Sequence, residues 1–291
     1  MRAGDILVAV LIAAAWGFTF VVIKVGLQDF PPLLFSALRF LVAASPLLWI
    51  WRQGPPAPWR YLLGIGLALT VTMNSLLFVG IDLGLPAGLA SLIAQTQAFF
   101  TALLAAVLLR ERPTRQQLAG MAVALAGILV IAGNLGGGGS RLGLVLVLGA
   151  ALSWAVANIL TRQARASDPV RLVVWISAVA PLPLLGLSWL FEGGARMASA
   201  LLGMSWLGAG AVVFQAGIAT LAALGAWSYL LARYPASLVA PFSLLVPVFG
   251  LSSSALLLGE TISPAKLAGA ALVMIGLAVT VMRPIRIAKR P

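Results

Sequence analysis

Apolar residues run along this chain in blocks of about 20, and short stretches between the blocks hold nearly all of its charge. A bilayer core is about 30 Å thick and a helix rises about 1.5 Å per residue, so each block is long enough to cross it. Ten spanning helices are expected, approximately Asp5 to Gly26, Leu33 to Trp51, Tyr61 to Ile81, Ala87 to Leu109, Gln117 to Gly133, Leu142 to Ile159, Val170 to Phe191, Trp206 to Leu231, Leu238 to Leu258 and Lys266 to Met282. The connections carry Pro31-Pro32, Pro55-Pro56 with Pro58, Pro113, Asn134 to Ser140, Pro169 and Pro264, and leave no room for a separate soluble domain. Arg2 and the apolar run up to Ala13 to Ala15 imitate a secretory signal, but the run continues through Val25 and nine spans follow, so the segment is expected to be kept.

Composition agrees with lipid as the surrounding solvent. Of 291 residues, 62% are apolar and 9% charged, with mean hydropathy +1.07, against roughly half and about a quarter in soluble domains. The absence of Cys and His removes disulfides, thiolate chemistry, the commonest general base and the commonest metal ligand. No cofactor or metal is expected. The net charge of +12 would suggest nucleic acid in a soluble protein, but in a membrane protein it orients loops.

With the N-terminus inside, Arg2, Arg52, Arg60, Arg110, Arg112, Arg115, Arg162, Arg165, Arg171, Arg233, Arg283, Arg286, Lys289 and Arg290 are cytoplasmic, against Lys24, Arg141, Arg196 and Lys266 outside. That distribution predicts both termini in the cytoplasm. The basic tail Arg283 to Arg290 would meet the anionic inner leaflet, and no nucleic-acid partner is expected.

The chain also resembles itself. Trp16 and Lys24 are spaced as Trp154 and Arg162 are, and Pro31-Pro32 is answered by Pro169, at an offset of 138. Pro86-Ala87, Leu89, Leu108, Glu111, Leu118-Ala119-Gly120 and Gly127 recur as Pro235-Ala236, Leu238, Leu257, Glu260, Leu267-Ala268-Gly269 and Gly276, at an offset of 149. The net insertion of 11 residues falls in the loop Glu192 to Met204. Five spans per half is an odd number, so the halves cross the membrane in opposite senses, a usual basis for alternating access. The expected organisation is a first repeat over 1–134, a Gly-rich linker over 135–140 and an inverted second repeat over 141–291. Gly136 to Ser140 does not read as a phosphate loop, since no Gly-Lys-Ser/Thr follows.

Trp16-Gly17 with Phe20 and Lys24, Arg39-Phe40 in the second span, Arg110-Glu111 ending the fourth and Leu118-Ala119-Gly120 in the fifth carry a resemblance. In these features the chain resembles the EamA-type transporters of the drug/metabolite transporter superfamily, and leans toward the YddG-like amino acid exporters. The resemblance covers essentially the whole chain. It implies an all-α, ten-span carrier with spans 1, 3, 4, 6, 8 and 9 around a central cavity and spans 5 and 10 at the rear. It does not fix the substrate.

Polar and aromatic residues within spans are costly in lipid and mark the interior. Trp16 and Phe20 share a face of span 1, Trp154 and Asn158 a face of span 6, Asn74 and Phe78 a face of span 3, and Gln95 and Phe99 a face of span 4. Gln215 and Trp227 on span 8 and Ser243 on span 9 complete the candidate substrate-binding set; Trp227 matches Phe78 and Ser243 matches Ala94. Each buried amide could equally be an interhelical bond partner. Together, amides, a hydroxyl and rings describe a site for a neutral or zwitterionic organic molecule. Pro241 and Pro247 free carbonyls on span 9, as a gate or as a static kink. Lys24 and Arg39 are read as snorkelling or carbonyl-bonded cations, with attraction of a carboxylate at the outer mouth as the sharper alternative.

All seven acids lie at span ends or in loops. The buried span 1 Glu of small cation-extruding relatives is missing, with Val10, Ala13 and Ala14 in that region. Downhill export of hydrophobic or aromatic amino acids and related metabolites across the bacterial inner membrane, by a functional monomer, is therefore the leading expectation. The alternatives are a proton-coupled multidrug exporter and a channel. An enzyme is disfavoured, as neither H-E-x-x-H nor G-x-S-x-G occurs.

Overall fold

The computed structural model describes residues 1–110, 113–135, 138–234, 236–261 and 263–281. Glu111 and Arg112, Gly136 and Gly137 of the Gly-rich stretch, Pro235, and the basic tail with Arg283, Arg286, Lys289 and Arg290 lie outside the described residues. Every regular element among the described residues is helical. Spans 1 to 8 are Ala3–Gly26, Pro32–Gln53, Trp59–Asp82, Ala87–Leu108, Arg115–Gly133, Gly138–Ala164, Pro169–Phe191 and Trp206–Leu231. Span 9 starts at Ala236 and ends at Leu258, and span 10 is Pro264–Val281.

Nine of these are long and apolar enough to cross a membrane, and the tenth, with its apolar stretch Pro264–Thr280, is shorter. Hydrogen bonds between span ends show that it crosses too. Gln116 at the start of span 5 donates to the Val279 carbonyl at the end of span 10. On the face that carries the N-terminus, Arg2 N–H donates to the Tyr234 hydroxyl and Arg171 to the Gln53 and Gly54 carbonyls. On the far face, Glu192 accepts from the Leu33 and Leu34 N–H groups, and Asp29 from Ser205. These bonds sort the ends as ten alternating crossings require.

Spans 5 and 10 display the inversion directly. A Cβ on Gly120 would meet the backbone of Gly276, and one on Gly127 the backbone of Gly269. Gly120 matches Gly269 and Gly127 matches Gly276 at the offset of 149. The contacts are therefore reciprocal, as at a two-fold interface between antiparallel elements. Small residues let the backbones touch, which is how helices without a hydrophobic driving force between them gain packing energy.

Two local expectations change. Span 6 begins at Gly138, so the helix takes in residues read as linker, and the Ser140 hydroxyl ties its start to the Gly84 carbonyl at 2.8 Å. The insertion Glu192 to Met204 is not a plain loop but contains a helix, Gly194–Leu202. Met197 and Ala200, one turn apart, pack on the core while Arg196 and Ser199 face outward, so the helix lies along the far end of the bundle.

Candidate substrate site

Six spans are interrupted: spans 2 and 7 break after Ala44 and after Val179, and spans 3, 4, 8 and 9 carry irregular turns near the middle that come in matched pairs. Span 3 is π-helical over Gly66–Met73 and span 8 over Phe214–Ala222. Shifting the first by the repeat offset of 149 lands it on the second. Span 4 breaks between Ala87–Ala94 and Gln97–Leu108, and span 9 tightens into a 3₁₀ turn over Ala240–Leu244. The same offset carries Gln95 to Leu244. Wide and tight turns misalign backbone groups that a regular helix would pair, so mid-membrane irregularity of this kind is tolerated where protein or a cavity can satisfy it. Discontinuous helices at equivalent places in two inverted halves are a pointer to a transporter's substrate site.

Side chains from neighbouring spans meet these interruptions. The Trp16 indole N–H donates to Ala219 O at 3.0 Å, and the Ser153 hydroxyl, beside Trp154, donates to Ala68 O at 2.8 Å. Each carbonyl belongs to a π-helical segment, and each donor to span 1 or its counterpart span 6. Thr70 bonds back to Gly66 O at 2.6 Å, Asn74 to Leu69 O at 2.8 Å, and Thr220 to Gln215 O at 2.7 Å, which takes up carbonyls that the wide turns release. At the other pair, the Gln95 amide donates to Ser243 O at 3.4 Å, and Ser243 bonds Ala240 O at 2.7 Å. Pro241 sits inside the 3₁₀ turn and Pro247 is buried in the helix after it.

Besides the Gln95–Ser243 pair, the candidate residues fall into four groups. Trp16 and Trp227 stand 5.3 Å apart at 56°, within a cluster that Phe242 joins. Asn158 donates to Gln97 Oε1 at 2.7 Å and to Thr101 at 3.1 Å, so Gln97, left out of the candidate set, is its direct partner. Asn74 and Gln215 belong to a third group: Arg39 Nη1 donates to Asn74 Oδ1 at 2.9 Å, Arg39 Nε to Thr220 Oγ1 at 3.1 Å, and Gln215 to Thr19 O at 3.0 Å. Phe20, Phe78 and Phe99 are buried in the main core, with Phe78 against Phe35 at 5.3 Å. Trp154 is partly buried against the same core. Lys24 is apart from Arg39 and donates to Ile81 O, at the end of span 3, at 3.3 Å.

Thr220 and Thr19 were not legible as site residues, because a Thr in a span is unremarkable until its partners are known. A cleft of about 550 Å³ opens on the N-terminal face between Tyr61, Leu109, Arg162, Gln163 and Arg165. A smaller one of about 300 Å³ lies on the far face under Arg196 and Ser199. Neither contains a candidate residue, and both lie at the ends of the spans rather than at the interruptions. Among the described residues no group of three His, Cys, Asp or Glu could hold a metal.

Ten crossings in two inverted halves, with paired interruptions at mid-depth, are the architecture of a membrane transporter of the drug/metabolite type. The EamA-like transporter family matches residues 3–133 and 141–282, once in each half, and the chain belongs to that family. It is 43% identical over 97% of its length to a Salmonella typhimurium protein named "Probable amino-acid metabolite efflux pump", 96% of which is covered. An Escherichia coli protein of the same name is 40% identical with the same coverage. A "Probable terminal-alkyne amino-acid exporter" from Streptantibioticus cattleyicolor is 28% identical over 92% of this chain and 90% of that one. A chain of known crystal structure superposes with TM-score 0.55 at 22% identity, covering 96% of this chain and 98% of that one, a likeness of fold alone. The protein is thus an integral membrane transporter of small molecules, not an enzyme.

Proposed function

We propose that this protein exports hydrophobic or aromatic amino acids and related metabolites from the cytoplasm, by alternating access about the paired interruptions. The observation that carries the reading is the neighbourhood of Trp16, Trp227 and the π-helical turn of span 8: two rings for an apolar side chain beside a mid-membrane irregularity of the backbone. The names of the efflux-pump relatives, matched over nearly the full chain, support the same substrate class.

In this reading Trp16, Phe20, Asn74, Phe78, Gln95, Phe99, Trp154, Asn158, Gln215, Trp227 and Ser243 line the pathway across its states. Lys24, Arg39, Pro241 and Pro247 shape its gates. Both termini are cytoplasmic, the chain works as a monomer, and the halves join through 135–140. Transport is downhill, because the six described acids sit at span ends or in loops and offer no proton relay at mid-depth.

Counterflow in proteoliposomes tests this. Preloading one amino acid should accelerate its uptake, and Trp16→Ala or Trp154→Ala should reduce the rate at least tenfold. Uptake indifferent to preloading would indicate a channel. Substrate-dependent proton flux would favour the proton-coupled multidrug exporter.

A further inference from the structure

Arg39 is the only charged residue among the described ones that lies well inside a span rather than at an end. Burying a cation at such depth costs a few kcal/mol even on insertion scales, so its partners matter. All are neutral: the Asn74 carbonyl oxygen at 2.9 Å, the Thr220 hydroxyl at 3.1 Å and the Phe40 ring, whose centroid is 5.1 Å from Cζ. No carboxylate among the described residues bonds it. Asp29 is held by Ser205, Asp5 by Tyr234, and Glu192 by the start of span 2. The guanidinium has five N–H groups and these bonds use two. Nη2 has no protein partner, and the Arg39 side chain is only partly buried.

The surroundings are also under-satisfied. Of six buried side-chain polar atoms without a partner among the described residues, four belong to Thr19, Ser36, Ser75 and Gln215. Ser36 is one turn from Arg39, Ser75 is next to Asn74, and Gln215 and Thr19 continue the chain of bonds from Thr220. Arg39 spans the two π-helical segments: Asn74 follows one directly and Thr220 lies within the other. The arrangement is not repeated in the second half, where Ser177 stands at the position matching Arg39, buried and bonded to Val173 O at 2.7 Å. Ser177 bonds only within its own helix, so the charged link from span 2 to spans 3 and 8 belongs to the first half alone.

We infer that Arg39, oriented by Asn74 and Thr220, is the carboxylate-binding element of the substrate site. Nη2, the one guanidinium nitrogen without a partner, offers two N–H donors for a charge-assisted bond to a carboxylate oxygen. The carboxylate supplies the charge that the buried cation lacks. Ala219, which accepts from the Trp16 indole, adjoins Thr220, so rings and guanidinium meet the same turn of span 8. An amino acid with its carboxylate on Arg39 would then reach Trp16 and Trp227 with its side chain. The inference rests on the amino acid reading above and adds the group that selects within it.

The test is competition in counterflow. For each amino acid that exchanges, its own carboxamide is offered as competitor to the wild type and to Arg39→Gln. In the wild type the amide should compete at least tenfold more weakly than the acid, and in Arg39→Gln the two should come within about twofold. If Arg39→Gln does not fold, Thr220→Val, which removes one of the two groups holding the guanidinium, should narrow the discrimination at least threefold. Equal competition by acid and amide in the wild type overturns the carboxylate site while leaving export intact. So does discrimination unchanged in the variant that folds. Absence of counterflow for every amino acid overturns the export reading, and this inference with it.

Discussion

The first half of span 4 and the first half of span 9 are matched segments of the two repeats, yet they are packed very differently. Every residue from Ala87 to Ala94 is buried at the far face. Across the matched stretch of span 9, at the N-terminal face, Val239 is buried but Leu238 is 51% exposed and Ala240, Pro241, Phe242 and Ser243 are partly exposed. Other matched pairs agree: Phe20 and Phe78 are buried whereas Asn158 and Trp227 are only partly so. Residues from nearly equivalent segments, placed at opposite ends by the inversion, adopt a sealed and a loose packing in one conformation. Exchange of the two packings is what alternating access requires.

The seal has identifiable parts, and each gives a way to break the difference. The largest effect is expected from Gly88→Val. A Cβ there would meet the Ser254 hydroxyl and lie 3.2 Å from Leu251 Cα, and such overpacking costs about 1–3 kcal/mol. The variant should melt several degrees lower in detergent and expose the far end to impermeant reagents, while at the matched position of span 9 the sequence already carries Ser237. Next, the Glu260 carboxylate accepts from the Ala87 and Gly88 N–H groups at 2.7 and 3.1 Å, joining the loop after span 9 to the start of span 4 at a favourable helix terminus. Glu260→Gln should weaken the seal by about 1 kcal/mol, read as about fivefold faster labelling of a far-face cysteine.

Smaller effects should appear at the loose end. Trp227→Ala removes the ring partner of Trp16, worth about 0.5–1.5 kcal/mol, and should lower counterflow of aromatic amino acids more than of aliphatic ones. Asn158→Leu removes two bonds between spans 4 and 6 at about 0.6 kcal/mol each. It should change thermal stability by no more than a degree or two.

Much of this was legible in the chain itself. Hydropathy located the ten spans, because a bilayer fixes their length. The repeated Trp, Pro, Glu and Gly positions exposed the inversion, and the glycine pairs of spans 5 and 10 proved to be its contact. Less could be read at the centre. Nothing in Gly66 to Met73 announces a π-helical turn, which depends on a threonine and an asparagine bonding back to released carbonyls. The break at Gln95 has no proline to mark it. Arg39 was visible as an odd residue, but its partner Thr220 is 181 positions away, and only tertiary packing could bring the two together. The helix Gly194–Leu202 is too short for hydropathy to distinguish from a loop.

The most direct test of exchange between sealed and loose packings uses the natural absence of cysteine. Ala94, 3% exposed, and Ser243, partly exposed, are matched positions on spans 4 and 9. Ala94→Cys and Ser243→Cys would each be reacted with an impermeant maleimide in oriented vesicles, with and without a transported amino acid. Without substrate, Ser243→Cys should react from the N-terminal face at least tenfold faster than Ala94→Cys reacts from the far face. Substrate should raise the Ala94→Cys rate and lower that of Ser243→Cys. Rates that do not respond to substrate, or simultaneous fast labelling at both positions, would contradict the account.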